Sequence, residues 1–314
     1  MLKLIGALCL GAAVAAPAAA QERVTYKSAK AGSSYYQMGV ELSEAIKAGT
    51  DGAISITVEE SQGSVQNVME VRARGADYVF TTPPGLVAAA QGGTGPFEGQ
   101  GDPAFGEVRA LFPIPSLTMH FVVGAETGAQ SLEDLEGLTI LLGAGSFGAT
   151  EGEAYLEQFG LMDRVEIADA ELSNAVAALK NGQIDGFVTA GSYPAPNVIE
   201  AAASMDVTVL SMTDEQVAET GRTRLEIPAG TYAGQDEPVV TTALDVVAFA
   251  TTKMDDDTAY TLTRTFWEEQ ARLADTARWW AGVSPEMLQG MGSGIHPGAM
   301  RYYEEIGAEL GAEG

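Results

Sequence analysis

The residues best suited to chemistry lie in one short polar turn. Residues 146–150, Ser-Phe-Gly-Ala-Thr, follow the apolar run at 138–142, and a helical pattern begins near Glu151. A strand that passes through a glycine-rich turn into a helix leaves backbone N–H groups without intrahelical partners, and those donors attract anions together with the helix dipole. We therefore predict that this turn holds a small anion, which the protein either carries or reacts with.

Two earlier turns have a similar composition. Serine and tyrosine residues at 33–36 precede one helical pattern, and residues 61–64, Ser-Gln-Gly-Ser, precede another. Ser61 or Ser64 could simply cap its helix by accepting a backbone N–H, which stabilises a helix by about 1 kcal/mol. Three such turns in matching positions instead favour donors that face a common ligand, with tyrosine rings and hydroxyls on the wall of a cleft.

The N-terminal segment has the composition of an export signal. Lys3 supplies the positive charge, residues 4–16 the apolar stretch, and residues 17–20 the small side chains of a cleavage site. We expect cleavage after Ala20 and a periplasmic mature protein. The single cysteine, Cys9, lies within this signal, so the mature chain has no disulfide, thiol nucleophile or thiolate metal site.

The charge balance is strongly acidic. The chain has 17 lysines and arginines against 43 aspartates and glutamates, and its formal net charge is −26. This balance argues against nucleic acid as a partner, because phosphate binding needs a basic surface. A local group of N–H donors can still hold an anion, because distant surface charges are screened by salt. We expect no metal site, since the acidic residues 255–257 are typical of a solvated helix start.

The turn after residue 142 also has the pattern of a dinucleotide-binding fingerprint. Residues 143–148 match GxGxxG between a predicted strand and a helix, and Glu166 or Asp169 lies near the spacing of a ribose-binding acid. An exported protein rarely meets such a cofactor, and glycine turns before helices are common. We therefore expect no cofactor.

A hydrolase is the second enzyme class that this turn suggests. Ser146 nearly fits the nucleophile elbow GxSxG, but Ala144 stands where the first glycine belongs. A catalytic triad also needs a histidine, and the candidates are His120 and His296, neither of which has a diagnostic neighbour. An exported serine hydrolase that uses Ser146 remains the alternative to a protein that only binds its ligand.

Strand and helix patterns alternate along the chain, which predicts an α/β fold with parallel sheets. The predicted strands cover residues 24–27, 54–59, 77–81, 120–124, 138–142, 165–167, 186–189, 207–210 and 241–250. The predicted helices cover residues 38–48, 65–74, 151–159 and 172–181, with more helix after Asp255, and the first of them places Met38, Leu42, Ala45 and Ile46 on one face. Residues 92–106 are predicted to form an exposed loop. The pattern occurs before and after about residue 115, so we expect two facing lobes with the polar turns on a shared cleft.

Short motifs spread over the chain occur in a specific order. They are Gly32-Ser33-Ser34-Tyr35-Tyr36 with Gly39, Ser61-Gln62-Gly63-Ser64-Val65-Gln66-Asn67, Asp134-Leu135-Glu136-Gly137 before residues 143–150, Gly182-Gln183-Ile184-Asp185-Gly186-Phe187, Pro228 with Gly230-Thr231-Tyr232, and His296-Pro297-Gly298-Ala299 with Tyr302-Tyr303. Because these motifs occur in this order and at this spacing, the mature chain resembles the TAXI-type solute receptors of tripartite ATP-independent periplasmic (TRAP) transporters. It departs from that family at Gln37, where proline is usual, at Phe147 and Ala149, and at residues 82–84, and these departures concern the identity of the ligand.

The resemblance implies a type II periplasmic-binding-protein fold, with two α/β lobes joined by crossing strands. Lobe 1 would comprise residues 21–115 plus 250–314, and lobe 2 residues 116–249. Members of that family bind small organic acids such as glutamate or 2-oxoglutarate and deliver them to membrane subunits that use an ion gradient. The resemblance thus implies a monomeric receptor for a small carboxylate and not an enzyme.

The predicted ligand-binding residues are Ser33, Ser34, Tyr35, Tyr36, Ser61, Gln62, Ser64, Asn67, Thr81, Thr82, Ser146, Phe147, Gly148, Ala149, Thr150 and Ser192. A cation often pairs with a bound carboxylate. Arg109 and Lys30 are the candidates for that role.

Overall fold

The computed structural model describes residues 21–31, 33–143, 146–289 and 294–310. The predicted export signal, with its cleavage point after Ala20, lies outside the described residues. So do Gly32, Ala144 and Gly145 of the two glycine-rich turns.

Within the described residues, strands and helices alternate over most of the chain. The strands are β1 (Glu22–Lys27), β2 (Ile54–Glu59), β3 (Tyr78–Thr82), β4 (Val108–Gly124), β5 (Thr139–Leu141), β6 (Glu166–Ala168), β7 (Gly186–Gly191), β8 (Val207–Val209), β9 (Thr223–Ile227) and β10 (Val239–Thr251). The α-helices are α1 (Ser34–Gly49), α2 (Ser64–Glu70), α3 (Pro84–Gly92), α4 (Phe147–Gln158), α5 (Ala175–Lys180), α6 (Pro196–Ser204), α7 (Asp214–Thr220), α8 (Asp256–Thr276) and α9 (Pro297–Glu305). No helix among these residues is long and apolar enough to cross a membrane.

The strands form one mixed sheet in the order β2-β1-β3-β10-β4-β7-β5-β6, with β8 beside β4 and β9 beside β10. At one end β1 pairs in parallel with β2 and β3, and α1 and α8 pack there; we call this the β1 side. At the other end β5 pairs in parallel with β6 and β7, and α4, α5 and α6 pack there; we call this the β5 side. The expected parallel sheets are therefore present, but antiparallel strands join them.

Two long antiparallel strands connect the sides. β4 pairs with β10 near its start, where Ala110 faces Phe249, and pairs with β7 further on, where Thr118 faces Gly191. β10 pairs with β9 over residues 239–243 and with β3 over residues 247–249. Both strands thus pass from one side to the other near residues 115 and 245. The lobe boundaries at 115 and 250 stay a prediction, with which this topology agrees.

Helices α1 and α4 start where serine residues cap them. Ser33 Oγ accepts the N–H of Tyr36, so α1 begins at Ser34 and not at the predicted residue 38. Ser146 Oγ accepts the N–H of Ala149 in the same way, so α4 begins at Phe147 and not near Glu151. An N-cap serine supplies the partner that a first-turn N–H otherwise lacks, so each helix can begin directly after its serine. Part of each predicted polar turn is therefore the first turn of a helix.

The apolar positions of α1 agree with the helical period. Met38, Leu42, Ala45 and Ile46 were predicted to share one face, and all four are buried in the core. This spacing of three and four residues places them on a single stripe that packs against the sheet. The prediction of this buried face is confirmed.

Some helices and strands were not predicted from the sequence. Helix α3 begins at Pro84, shortly after the strand predicted at residues 77–81, and proline is favoured at this first position of a helix. The loop at residues 92–106 is not uniformly exposed, since Phe97 and Phe105 are fully buried and contact each other edge to face. Helices α6 and α7 and strand β9 were likewise missed.

A buried polar chain supports the β5 side. His120 Nδ1 lies 3.1 Å from the carbonyl oxygen of Thr118, and its Nε2 lies 2.8 Å from Tyr232 Oη. The Tyr232 hydroxyl also accepts the N–H of Ala195 at 2.9 Å, directly before α6. Because a carbonyl only accepts, Nδ1 carries the proton and Nε2 accepts the tyrosine O–H. Burial lowers the pKa of His120 to about 4, and the chain is complete only with neutral histidine.

We expect the protein to lose stability as the pH falls from about 6.5 to about 4. An unfolded histidine takes up a proton near pH 6.5, whereas folded His120 resists protonation until about pH 4. In this window the unfolded state binds more protons than the folded state. The free energy of unfolding therefore decreases as the pH decreases, by about 3 kcal/mol for this side chain over the whole window. Urea unfolding at about pH 7 and about pH 4.5 measures the change.

The variant His120→Gln is the control, because glutamine does not titrate. It should be less stable at neutral pH and should show a smaller decrease on acidification than the parent protein. Equal decreases in both proteins would contradict this role for His120. Other acid-sensitive groups, such as His296, contribute equally to both proteins and cancel in the comparison.

Candidate functional site

A cleft of about 360 Å³ lies between the two sides of the sheet. Leu117 of β4 and Val246 of β10 form its floor, so the crossing strands lie directly beneath it. Its size is at the lower end of the range for small-molecule sites, which run from about 300 to about 1,000 Å³. The space therefore suits a small metabolite.

Helix starts from both sides converge on this cleft. On the β1 side it is lined by Ser34 at the start of α1, and on the β5 side by Phe147 at the start of α4 and by Pro196 at the start of α6. The positive ends of several helix dipoles thus point toward one space. Helix N-termini that face each other across a cleft favour a negatively charged ligand between them.

The capping serines leave donors available to a ligand. Ser33 and Ser146 accept an N–H with their oxygen, so each hydroxyl hydrogen remains free to donate. In the part of the chain that the structure describes, the N–H groups of Tyr35 and Gly148 make no hydrogen bond, as expected for the first turn of a helix. The hydroxyl of Ser34 likewise has no partner among these residues. The cleft therefore contains several uncharged donors.

Nine of the sixteen predicted site residues line the cleft. They are Ser33, Ser34, Tyr35, Gln62, Ser64, Thr81, Ser146, Phe147 and Gly148. The other seven do not line it, and they are Tyr36, Ser61, Asn67, Thr82, Ala149, Thr150 and Ser192. The structure thus brings together residues from all three polar turns.

Several of the seven support the wall from behind. Asn67 is fully buried, and its Nδ2 donates to the carbonyl oxygens of Ser28 at 2.7 Å and Thr81 at 2.8 Å. Ser61 Oγ donates to the Ser28 carbonyl at 3.0 Å and accepts the N–H of Gly63. Asn67 Nδ2 and Ser61 Oγ thus hold the backbone that lines the cleft.

The remaining exceptions follow from helix and strand geometry. Thr150 is exposed to solvent one turn into α4, and Ala149 is buried beneath that helix. Tyr36 is half-buried beside Tyr35, because neighbouring residues on a helix point in directions about 100° apart. Ser192 Oγ donates to the carbonyl oxygen of Ser116 at 2.7 Å, on a crossing strand.

Tyr35 connects the cleft to the crossing strands. Its ring lines the cleft, and its hydroxyl donates to the carbonyl oxygen of Pro115 at 2.9 Å. Burial raises the pKa of the Tyr35 hydroxyl far above its usual range, so the group stays a neutral donor. Tyr35 thus fixes the start of α1 relative to β4.

The charged groups at the cleft form one cross-cleft pair and one further acid. Lys30 Nζ, from the β1 side, lies 2.6 Å from Glu171 Oε2, from the β5 side, and Glu200 lines the rim. Arg109 does not line the cleft, since its Nη1 donates to the carbonyl oxygens of Gly106 and Val108. Of the two proposed cations, only Lys30 is near, and it is already paired.

Sequence reasoning missed part of the β5 wall. Leu172 and Ser173 at a short 3-10 turn, Thr189 at the end of β7, and Asn197 in the first turn of α6 all line the cleft. Pro196, at the first position of α6, was a usable signal, because proline favours that position. The contribution of β7 had no comparable signal, since it depends on which strand lies beside β4.

The structure does not favour the hydrolase alternative. The Ser146 side chain caps α4, and within the described residues no hydrogen bond joins it to a histidine. His120 is bonded to Thr118 and Tyr232, and His296 accepts the N–H of Gly298 at the start of α9. A serine without a neighbouring base is a weak nucleophile.

The glycine that completes the GxGxxG match has a packing reason. A Cβ atom on Gly148 would lie 2.9 Å from the backbone nitrogen of Ala190 in β7. Only glycine therefore allows α4 to approach the sheet this closely. The last glycine of the fingerprint match thus has a structural reason in the packing of α4 against β7.

Comparison with known proteins gives a family and a fold. A model of the NMT1-like family matches residues 27–307.

Solved structures with the same fold include MatC from Rhodopseudomonas palustris with bound malate, at a TM-score of 0.55 and 13% identity, covering 91% of this chain and 97% of that one. The periplasmic binding protein BugD matches at a TM-score of 0.54 and 11% identity, covering 91% and 94%. A protein from Bordetella bronchiseptica RB50 matches at 0.53 and 15%, covering 91% and 98%. The fold is that of the periplasmic binding proteins.

We expect Ser146→Ala to lower the free energy of unfolding by about 1 kcal/mol, because it removes the cap of α4. Ser146→Asn should retain most of the stability, since asparagine is an equally good N-cap. Denaturant unfolding of the two variants measures the difference. Equal stability of the alanine and asparagine variants would contradict the capping role.

Proposed function

The chain belongs to the NMT1-like family, and on this premise we propose that it is an exported solute-binding receptor that holds a small organic acid in the cleft. The ligand class is a carboxylate, such as glutamate, 2-oxoglutarate or a related acid. The receptor releases its ligand to membrane subunits of a transporter, and no bond of the ligand is broken.

The convergence of helix starts on one cleft carries this proposal. The cleft of about 360 Å³ is lined by the first residues of α1 and α4, which come from opposite sides of the sheet. A carboxylate placed between them accepts N–H and hydroxyl donors from both sides. Such a ligand favours the conformation in which the sides meet, because only then does it contact both.

Uncharged donors supply enough affinity for a receptor. A hydrogen bond to a charged group contributes about 1.5–3 kcal/mol, and a neutral one about 0.5–1.5 kcal/mol. Four or five of these bonds in a closed cleft support a dissociation constant of about 1 μM, which corresponds to about 8 kcal/mol. Lys30 adds a positive charge at the rim, but Glu171 offsets it.

We assign the transporter to the TRAP class and the receptor to its TAXI type. The support is the order of the motifs around Ser33, Ser64, Ser146 and Tyr232, together with the family match and the fold. The receptor acts as a monomer in the periplasm. A fused membrane subunit encoded beside this gene would support the TRAP assignment, and a neighbouring ATPase subunit would contradict it.

Titration calorimetry with a panel of monocarboxylates, dicarboxylates and amino acids tests the ligand class. We expect at least one acid to bind at about micromolar concentration. Ser34→Ala and Ser64→Ala should each weaken binding of that acid about 3- to 30-fold, because each removes one hydroxyl donor from the cleft.

Thr150→Val is the matched control for these variants. Thr150 is exposed and outside the cleft, so its loss should leave the affinity unchanged. Binding of no member of the panel would contradict the carboxylate proposal. Equal weakening in all three variants would contradict the placement of the site.

Export is tested by the N-terminus of the mature protein. We expect the protein recovered from the periplasmic fraction to begin at Gln21, because the signal should be cleaved after Ala20. N-terminal sequencing or intact mass measures this directly. Recovery of the uncleaved chain from the cytoplasm would contradict the localisation.

A further inference from the structure

Apolar side chains line the cleft on its β5 side. Phe147 at the start of α4, Leu172 on the short 3-10 turn, and Val176 in α5 all line it, and we call these three residues the apolar wall. Phe147 and Leu172 are only half-buried. Leu117 and Val246 of the crossing strands continue the apolar surface across the floor. A ligand in the cleft therefore contacts hydrocarbon as well as polar donors.

The apolar wall adjoins the start of α4. A Cβ atom on Gly143 would lie 2.7 Å from the Cβ atom of Leu172, so Leu172 packs directly against the turn that leads into this helix. Val176 follows Leu172 by four residues, a spacing that places two side chains on the same face of a helical segment. A ligand whose anionic end meets the start of α4 therefore has its remaining atoms beside the apolar wall.

Two buried hydroxyls mark the polar end of the cleft. Ser34 and Thr189 are each 4% exposed and line the cleft from opposite sides, and among the described residues neither hydroxyl makes a hydrogen bond. A Cβ atom on Gly191 would lie 2.8 Å from Ser34 Oγ, so Ser34 reaches the strand that carries Thr189. Buried hydroxyls without a protein partner favour a ligand that accepts from them, because buried polar groups are normally hydrogen-bonded. A carboxylate is such an acceptor.

The charges at the cleft do not suit a second carboxylate. Of the described residues that line it, Lys30 is the sole cation, and its Nζ lies 2.6 Å from Glu171 Oε2. Glu200 adds an exposed carboxylate at the rim. A second carboxylate on the ligand would face these two acids and a cation that is already paired. On the apolar wall it would lose its hydration without gaining a partner, which is unfavourable for a charged group.

We propose that the ligand is a monocarboxylate with an apolar body, an inference that rests on the proposed receptor function and narrows its ligand class. The carboxylate accepts from the hydroxyls of Ser34 and Thr189 and from the N–H at the start of α4. The aliphatic or aromatic body lies on the apolar wall, where its apolar surface and that of the half-buried wall residues leave water together. Dicarboxylic acids then bind more weakly.

Two matched pairs of acids test this ligand class by titration calorimetry on the mature protein. Isocaproate is paired with succinate, and leucine with aspartate, because within each pair an isopropyl group replaces a carboxylate of the same shape. We expect isocaproate to bind at least about 10-fold more tightly than succinate, and leucine more tightly than aspartate if the α-ammonium is tolerated. Burial of the isopropyl group should also make the heat-capacity change of binding more negative.

Leu172→Ala tests the placement of the apolar body. Leu225→Ala is its matched control, because Leu225 is also half-buried and packs against the same apolar cluster but does not line the cleft. We expect the affinity for isocaproate to fall about 5- to 20-fold in Leu172→Ala and to stay unchanged in Leu225→Ala. Val176→Thr, which keeps the shape of the side chain and adds a hydroxyl, should also weaken binding. Thermal unfolding verifies that the three variants remain folded.

The comparison of acids separates this inference from the receptor function. If succinate or aspartate binds as tightly as its apolar counterpart, or more tightly, the apolar body is wrong and the carboxylate receptor stands. Equal affinities for isocaproate in Leu172→Ala and Leu225→Ala would overturn the placement on the apolar wall. Failure of all four acids to bind would overturn this inference, and the wider panel of acids then decides whether the receptor function fails with it.

Discussion

The antiparallel ladder between β4 and β10 is the interaction on which the rest of the molecule depends. It carries the chain from one side of the sheet to the other, and both parallel strand groups attach to it, β3 through β10 and β7 through β4. The ladder is interrupted between Leu244 and Val246, where the strands change partners. A ladder with a local irregularity is continuous enough to hold two sides together and locally free to bend. The cleft lies against this ladder, where Leu117 and Val246 line it.

The same serines support the fold and prepare the cleft. Ser33 and Ser146 each accept one backbone N–H, which ends the preceding turn and starts a helix. Among the described residues, their hydroxyl hydrogens and the N–H groups of Tyr35 and Gly148 have no hydrogen-bond partner. These donors are short-range, so they act on an anion within the cleft even though the chain carries a formal net charge of −26. A strongly acidic protein can therefore offer a site for an acidic ligand.

Buried polar groups tie the cleft walls to the crossing strands. Tyr35 bonds to Pro115 from the β1 side, and Ser192 bonds to Ser116 from the β5 side, so adjacent carbonyls of β4 hold one wall each. On the β5 side the chain from His120 through Tyr232 to Ala195 fixes the start of α6. Each of these donors is satisfied inside the protein, and satisfied buried networks of this kind make the walls rigid.

The sequence by itself determined the α/β alternation and the buried face of α1, because these features depend on residues a few positions apart. The capped starts of α1 and α4 at Ser33 and Ser146 came only from the structure. It did not distinguish Ser64, which lines the cleft, from Ser61 and Asn67, which bond to the backbone behind it. It also did not reveal the wall formed by β7 or the contact of Lys30 with Glu171, which are 141 residues apart. Only the tertiary structure decided these points, because the direction of a side chain at the cleft follows from which distant strands pair across β4 and β10.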